Sequence, residues 1–413
     1  MTGAVLDVAF HELRRDRPPV MLWAGLSLLR SLRLASVSVV LATSDPAEPA
    51  LRSRHVAGIC HLPPPGADER AVVEALVEGG RRLHEALGRR VPLFYGNDEQ
   101  LSLVYDHREE LARHYLLTLN ERALGLALLE KDRFESLARL HRLPVPRSWP
   151  MGEEGARALA EASGPKVVKP RRKTHFEESA LRRDVFSGRG KALVFRDGRE
   201  LLAQLPPAHA GEVSVQDYVP GPDHLLLSFH GYADERGRVL AWFVGRKIRS
   251  FPAHTGESSF LELIHDDALV RLGLDVASRV GLRGIFKMDF KQDERDGTYY
   301  LLEINARFSL WSYLGAANGV NLPKVAYDHL VYGQAPEPAA YGTRYKWLKL
   351  ALDWRAFRER RAAGQLTAGQ WLRSVVLSPA VYHCFAWSDP LPLLAVWGRR
   401  ASRLLRRWHV TGS

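Results

Sequence analysis

The sequence predicts an α/β region, then an α+β region, then a basic helical C-terminal extension. Three observations carry this expectation. Short β-branched runs alternate with helical patterns through roughly the first 120 residues. From residue 167 to residue 304 strand patterns cluster without a helix between each pair. After a Pro/Ala stretch at 334–340 (QAPEPAA) the helical patterns become rich in Trp and Arg.

In chain order, Val20–Trp23 reads as a strand and 25–33 as a short helix, with Leu26, Leu29 and Arg30 near one face. Residues 36–42 (SVSVVLA) have the β-branched content of a buried strand, and 56–62 is another. A helix over 70–87 returns to strand at Val91–Tyr95. Strand–helix alternation of this kind predicts a parallel sheet. Residues 121–140 read as one helical stretch, closed by Pro144 and Pro146. A strand at 167–169 stops at Pro170, and a polar stretch follows, ending Ser187-Gly188-Arg189-Gly190-Lys191. Strands are predicted at 213–218, 225–232, 239–248 and within 284–304, with a helix at 267–280. Beyond the linker, 354–363, 370–376 and 391–408 read as helices. The expected domains are 1–120, 121–335 and 341–413.

A chain of 413 residues suggests two or three such domains. Hydrophobic residues at 46% supply ample core, so no disulfide or metal staple is required. Cys60 and Cys384 lie far apart without a CxxC pattern, which argues against a disulfide framework or a zinc site. The N-terminus lacks the apolar run of a signal peptide, and 391–397 is too short to span a bilayer, so a cytoplasmic protein is expected. The net charge is +11. Most of the excess lies in residues 341–413, where 13 Lys and Arg face three acids. The global charge therefore says little about a site.

The most informative stretch is Lys287-Met288-Asp289-Phe290-Lys291 followed by Tyr300-Leu301-Leu302-Glu303-Ile304-Asn305-Ala306-Arg307. Asp296-Gly297 between them is a hairpin signal. With Arg295-Asp296-Gly297 as the loop and the glycine left-handed, Glu294 faces Thr298 and Asp289 falls opposite Glu303. Cross-strand Cβ atoms are then roughly 4.5–5.5 Å apart. The two-residue period adds Asn305 and Lys287 to the same face. Two adjacent carboxylates repel unless a cation separates them. Oxygen ligands of this kind suit Mg²⁺, and a pair of ions sharing Glu303 would clamp a phosphoryl group. The plainer alternative is a hairpin whose acids pair with Lys287 and Lys291.

On these residues the chain resembles the ATP-grasp superfamily. LLEINAR is similar to its metal-strand motif, and Asp289 matches the family's first metal carboxylate. The resemblance implies that Asp289, Glu303 and Asn305 hold two Mg²⁺, with Mn²⁺ as a substitute, and that Arg307 and Lys287 face the transferred phosphoryl group. It extends in order. Lys131 in EKDR resembles the lysine heading a helix, and Leu143-Pro144-Val145-Pro146 the turn after it. Lys169 in VVKP resembles the strand lysine on the α- and β-phosphates. Gly188, Gly190 and Lys191 resemble the glycine loop over the phosphates. Gln216-Asp217-Tyr218-Val219 resembles the hinge that holds adenine, and Asp223 falls near the ribose position. The first 120 residues look like the family's Rossmann-like preceding domain. Gln216 stands where many members carry glutamate, and Ala306 where proline is common.

Within the superfamily the similarity is closest to predicted carboxylate–amine ligases that include D-aspartate ligase, through Gly245-Arg246-Lys247-Ile248-Arg249 and Gly319-Val320-Asn321-Leu322-Pro323. The implied activity is ATP-dependent joining of a carboxylate, on an amino acid or small acid, to an amine or thiol through an acyl phosphate. Two other readings stay open: a bicarbonate-using carboxylase, and a nucleotide-binding protein recruited to acidic membrane surfaces by its tail. The tail makes a weak membrane-surface contact admissible; nucleic acid is not expected, since no recognised module is present. Taken alone, Lys131 could be solvated, SGRGK is an ordinary turn rather than a Walker A loop, and Trp311 could be core or pocket lining.

Overall fold

The computed structural model describes residues 5–64, 66–171, 176, 179–187, 192–253, 256–336 and 340–398. The chain divides into two units. The first comprises Met1–Thr118, Arg307–Trp347 and Ala380–Ser413; the second comprises Leu119–Ala306 and Leu348–Pro379.

The first unit is built on β1 (Leu6–Val8), β2 (Val20–Trp23), β3 (Val39–Thr43), β4 (Val56–His61), β5 (Val91–Tyr95) and β6 (Tyr115–Leu116). Their order is β1-β4-β3-β2-β5-β6. β2 runs parallel to β3 and β5, and β4 parallel to β3, as the alternation predicts. Among the described strands of this sheet, only edge strand β1 is antiparallel. It was not expected, because three residues carry no readable period. Met21, Leu22, Val40, Leu41 and Phe94 form the buried centre. Helix α1 (Leu26–Leu34) buries Leu28, Leu29 and Leu32, and also Arg30. Arg30 Nη1 donates to the carbonyls of Tyr382 and His383 at 2.9 and 3.1 Å, and Nη2 to that of Cys384 at 2.8 Å. Helix α2 (Glu69–Leu87) tolerates Gly80 at its middle, where glycine costs about 1 kcal/mol against alanine. A Cβ there would lie 2.6 Å from the Tyr115 ring, so the close approach requires glycine. Trp311 is 2% exposed and is a core residue of this unit. Cys60 and Cys384 are both free thiols.

The described residues of the second unit form two sheets. The smaller contains β7 (Ser148–Trp149), β8 (Lys166–Pro170), β9 (Leu193–Phe195) and β10 (Val213–Asp217), in the order β7-β10-β8-β9. Val168, Val215, Trp149, Leu159, Leu181 and Phe186 pack as its core. The larger contains β11 (Leu226–Ala233), β12 (Val239–Phe251), β13 (Glu257–Ile264), β14 (Gly284–Gln292) and β15 (Tyr299–Asn305). These run β15-β14-β11-β12-β13, each pair antiparallel.

The predicted helix over 121–140 is broken. Arg122–Leu129 and α3 (Lys131–Leu140) are separate helices, with Glu130 extended at φ −109°, ψ 128°. The reason is tertiary: the Lys131 N–H donates to the Arg171 carbonyl at 3.4 Å, beyond the end of β8. Helix α4 (Asp267–Val280) starts where Asp266 Oδ1 accepts the Leu269 N–H at 2.9 Å. It covers the sheet face formed by Phe229, Phe286, Met288 and Phe290, with Gly273 against the Phe229 ring.

The C-terminal 341–413 does not form a body of its own. Residues 348–379, carrying α5 (Leu350–Ala362) and α6 (Ala368–Val376), belong to the second unit, and the flanking parts to the first. A buried ion pair holds α5: Arg249 Nε and Nη2 donate to Asp353 Oδ1 and Oδ2, each at 2.9 Å. Ser259 Oγ and Trp371 Nε1 donate to the same carboxylate at 2.8 and 2.9 Å. No helix among the described residues is long and apolar enough to cross a membrane.

Candidate active site

The face of the larger sheet opposite α4 carries the candidate residues. Along β14, Phe286, Met288 and Phe290 are buried toward α4, so the two-residue period turns Lys287, Asp289 and Lys291 to the other face. Asp289 stands opposite Glu303 and Lys287 opposite Asn305, as the hairpin count predicts. The turn itself differs by one residue. Asp293 N–H donates to the Thr298 carbonyl at 2.9 Å, and Gly297 N–H to the Asp293 carbonyl at 2.9 Å, so the loop is Glu294–Gly297 rather than three residues. Gly297 is left-handed as expected, with φ 76°. A register shift between Asp289 and Phe290 restores the acid pair. There the Leu301 N–H turns to the Pro144 carbonyl at 2.7 Å, which sustains the bulge.

The acids are held rather than loose. Ser228 Oγ donates to Asp289 Oδ1 at 2.7 Å, and Lys287 Nζ lies 2.7 Å from Asp289 Oδ2. Asn305 Nδ2 donates to Glu303 Oε1 at 3.0 Å and reaches Asp289 Oδ2 at 3.4 Å. The amide nitrogen thus bridges the two carboxylates where a cation would sit, and Asn305 Oδ1 is the atom that suits a metal. Among the described residues no group of three or more His, Cys, Asp and Glu forms a metal cluster. Two carboxylates and an amide are the sparse oxygen set that Mg²⁺ takes when phosphates complete its shell. The donor set therefore fits that ion.

A buried histidine and further basic residues adjoin the acids. His230 stands opposite Lys287 in register, buried, with its ring stacked on Phe243 at 4.5 Å. Burial, with Lys287 adding, holds this imidazole well below its usual pKa. Of Arg246, Lys247 and Arg249 on β12, Arg246 pairs with Glu262 at 2.7 Å and Arg249 with Asp353. Lys247 Nζ donates to the Gly256 carbonyl at 3.4 Å. Burial lowers its pKa, against the fields of Asp289, Asp223 and Glu303. Gly245, which faces Ser228 across the ladder, carries no side chain to obstruct this row.

On the smaller sheet, Lys169 lies on β8 beside Ser214 of β10, and its Nζ donates to Gln216 Oε1 at 3.3 Å. Gln216 Nε2 in turn donates to Ser148 Oγ at 3.2 Å. Lys131 opens α3, whose backbone is tied to the end of β8, and Asp132 pairs with Arg171 at 3.2 Å. The two lysines are thus brought to neighbouring elements. Asp217 Oδ1 accepts Trp149 Nε1 at 2.8 Å and lies 3.1 Å from the buried Lys166. The Tyr218 N–H donates to the Pro165 carbonyl at 3.0 Å, and burial raises its phenol pKa. Val219 is buried. Asp223 is buried too. Its Oδ2 accepts the Ser250 N–H and hydroxyl at 2.7 and 2.6 Å and pairs with Arg360.

Arg307 falls in the first unit, where its Nε donates to Asp98 Oδ1 at 2.6 Å. Gly188, Gly190 and Lys191 lie outside the described residues, as do His175 and His254. Ser228 and Arg360 escaped the sequence reading. A serine inside the apolar run of β11 is a weak signal, and nothing local marks Arg360 as the partner of a residue 137 positions away.

Residues 233–351 match a family described as "ATP-grasp in the biosynthetic pathway with Ter operon". The chain is 23% identical over 291 residues to the D-aspartate ligase of Enterococcus faecium, covering 68% of each. Its fold is similar to that of an L-amino acid ligase from Bacillus licheniformis, with a TM-score of 0.53, 15% identity, and 76% of this chain and 74% of that one covered. It is also similar to biotin carboxylase from Campylobacter jejuni, with a TM-score of 0.57, 14% identity, and 79% and 74% covered. At such identities the structural likeness speaks for the fold alone.

Proposed function

For a chain that carries the ATP-grasp fold, we propose an ATP-dependent ligase that activates a carboxylate as an acyl phosphate and joins it to an amine. The observation that carries this reading is the registered pair Asp289–Glu303 with Asn305, on a sheet face also lined by Lys287 and Lys247. Asp289, Glu303 and Asn305 would hold Mg²⁺. When bound, that ion neutralises phosphoryl oxygens as a Lewis acid.

The chain's own residues do the positioning. Lys131 and Lys169 would hold the α- and β-phosphates, and the backbone and side chains of Gln216–Val219 the base. A substrate carboxylate oxygen attacks the γ-phosphorus, and ADP leaves. The amine nitrogen then attacks the acyl carbon, phosphate departs, and the amine loses a proton. Lys287 would offer positive charge to the transferred group. Such chemistry is mostly alignment and charge neutralisation, so no nucleophilic side chain is required. Likeness to the D-aspartate ligase favours an amino acid or small carboxylate as substrate over bicarbonate.

An ADP-release screen over amino acids and small carboxylates, with product mass spectrometry, tests this directly. Release that depends on an acid–amine pair, with a mass equal to their sum less water, is the expected result. Release driven by bicarbonate alone would replace the reading with a carboxylase. A finer check addresses the support of the acids. Ser228→Ala removes the hydroxyl that orients Asp289, and is expected to weaken divalent-ion binding about 10–100-fold. Mn²⁺ titration of the nucleotide-loaded protein reads this, and an unchanged affinity would show that Asp289 is not a ligand.

A further inference from the structure

We propose that α5 is a positioning element of the nucleotide site, with Arg360 fixing Asp223 and, through it, the loop that joins β10 to β11. The proposal rests on the nucleotide-binding reading above, but it concerns a helix that begins at Leu350 and so lies almost wholly beyond the region matching the ATP-grasp family.

The loop Val219–Leu225 leaves the strand that carries Gln216 and Asp217 and enters the strand that carries Ser228. It is gripped from two sides. From β14, Lys291 Nζ donates to the carbonyls of Gly221 and Pro222 at 2.6 and 2.8 Å. From α5, the Arg360 guanidinium pairs with Asp223 Oδ2, and its Nη1 donates to the Ser250 carbonyl at 3.0 Å. Ser250 completes the triangle by donating its own N–H and hydroxyl to Asp223. Gly221 sits at φ 127°, and a Cβ there would lie 2.8 Å from Leu225, so the loop takes a single tight path.

Asp223 and Arg360 are 4% and 12% exposed, so neither charge is left to water. A buried carboxylate without its cation is costly and tends to take up a proton. Arg360 therefore supplies a counter-charge to Asp223 and holds it in place. The helix is itself anchored. Asp353 holds Arg249, Glu359 Oε2 accepts the Ala253 N–H at 2.9 Å, and Arg355 lies over the Phe251 ring at 4.2 Å. These contacts fix α5 along the strand that carries Ser250, which makes it a rigid arm rather than a loose appendage.

The test uses the full chain and MgATP. Arg360→Met is expected to raise the Kd and KM for MgATP about tenfold or more, as loss of a charge-assisted contact predicts. kcat at saturating ATP should stay within about twofold, and so should KM for the acid and amine, the pattern of lost ground-state binding. Arg360→Lys should recover part of the affinity, because it restores the charge but not the fork. Ser250→Ala, a small change that keeps the backbone donor, is expected to weaken MgATP binding about threefold. It serves where Arg360→Met does not fold. Unchanged MgATP affinity in the folded variants, with only a lowered melting temperature, would overturn the proposal. A wild-type protein that binds no MgATP overturns the site and this inference together. A wild-type protein that binds MgATP yet releases no ADP with any acid–amine pair overturns the ligase reading alone.

Discussion

Glu303→Gln is expected to remove amine-dependent ADP release, by about 10²–10³-fold or more, while the protein stays folded. The two halves of this result have separate causes. Glu303 and Asp289 face each other across β14 and β15, and each is only half-buried. Two like charges so placed repel in the absence of a cation. Neutralising one relieves that repulsion, and glutamine preserves the shape and a hydrogen-bond partner for Asn305 Nδ2. Stability should therefore hold or rise slightly. Activity should not, because the shared carboxylate is what would draw the metal and its phosphate together. ADP release at saturating ATP and Mg²⁺, beside a thermal melt, measures both. Wild-type turnover in Glu303→Gln would remove the metal assignment. Asp289→Asn should behave less cleanly, since it also removes the charge that pairs with Lys287 and leaves one acceptor oxygen where Ser228 and Lys287 now use two.

Asp353→Ala is expected to act in the opposite sense, with a large loss of stability and no direct contact with the candidate active site. The Asp353 carboxylate is wholly inaccessible and accepts from Arg249, Ser259 and Trp371. Its removal leaves a buried guanidinium and an indole N–H without this acceptor, while the Ser259 hydroxyl keeps the Arg249 carbonyl at 3.1 Å. Breaking one partner of a buried pair typically costs about 3–5 kcal/mol. For a unit of this size that corresponds to roughly 6–20 °C in melting temperature. The change should be visible in tryptophan fluorescence, because Trp371 packs on Phe357 at 5.0 Å and bonds this carboxylate. The paired replacement of Arg249 and Asp353 by methionine and leucine should recover most of the loss, since it leaves no orphaned charge. A melt of Asp353→Ala equal to wild type would mean that α5 and α6 contribute little to the second unit.

The features readable from sequence share one property: their physics is local. Period-two alternation and the Asp296-Gly297 turn placed Asp289 opposite Glu303. The count succeeded although the loop is one residue longer than supposed, because the bulge near Leu302 returns the register. Alternating runs in the first 120 residues likewise announced the parallel order of β2 to β5. Where a distant partner intervened, local reading fell short. The stretch 121–140 has no glycine or proline at Glu130, yet it breaks there because Lys131 bonds the Arg171 carbonyl.

Long-range pairing alone accounts for the rest. Three cations in a row on β12 look equivalent in the sequence. Glu262 and Asp353 neutralise two of them and leave Lys247 toward the acids. The basic C-terminal stretch looks like one appendage. Arg30 ties Tyr382 to Cys384 into the first unit, and Arg249 ties α5 into the second. Such choices depend on which buried charge finds which counter-charge across a hundred or more residues, and burial makes each of them costly to leave unmet. Strand period and turn chemistry act over a handful of residues and were therefore legible before any chain was folded.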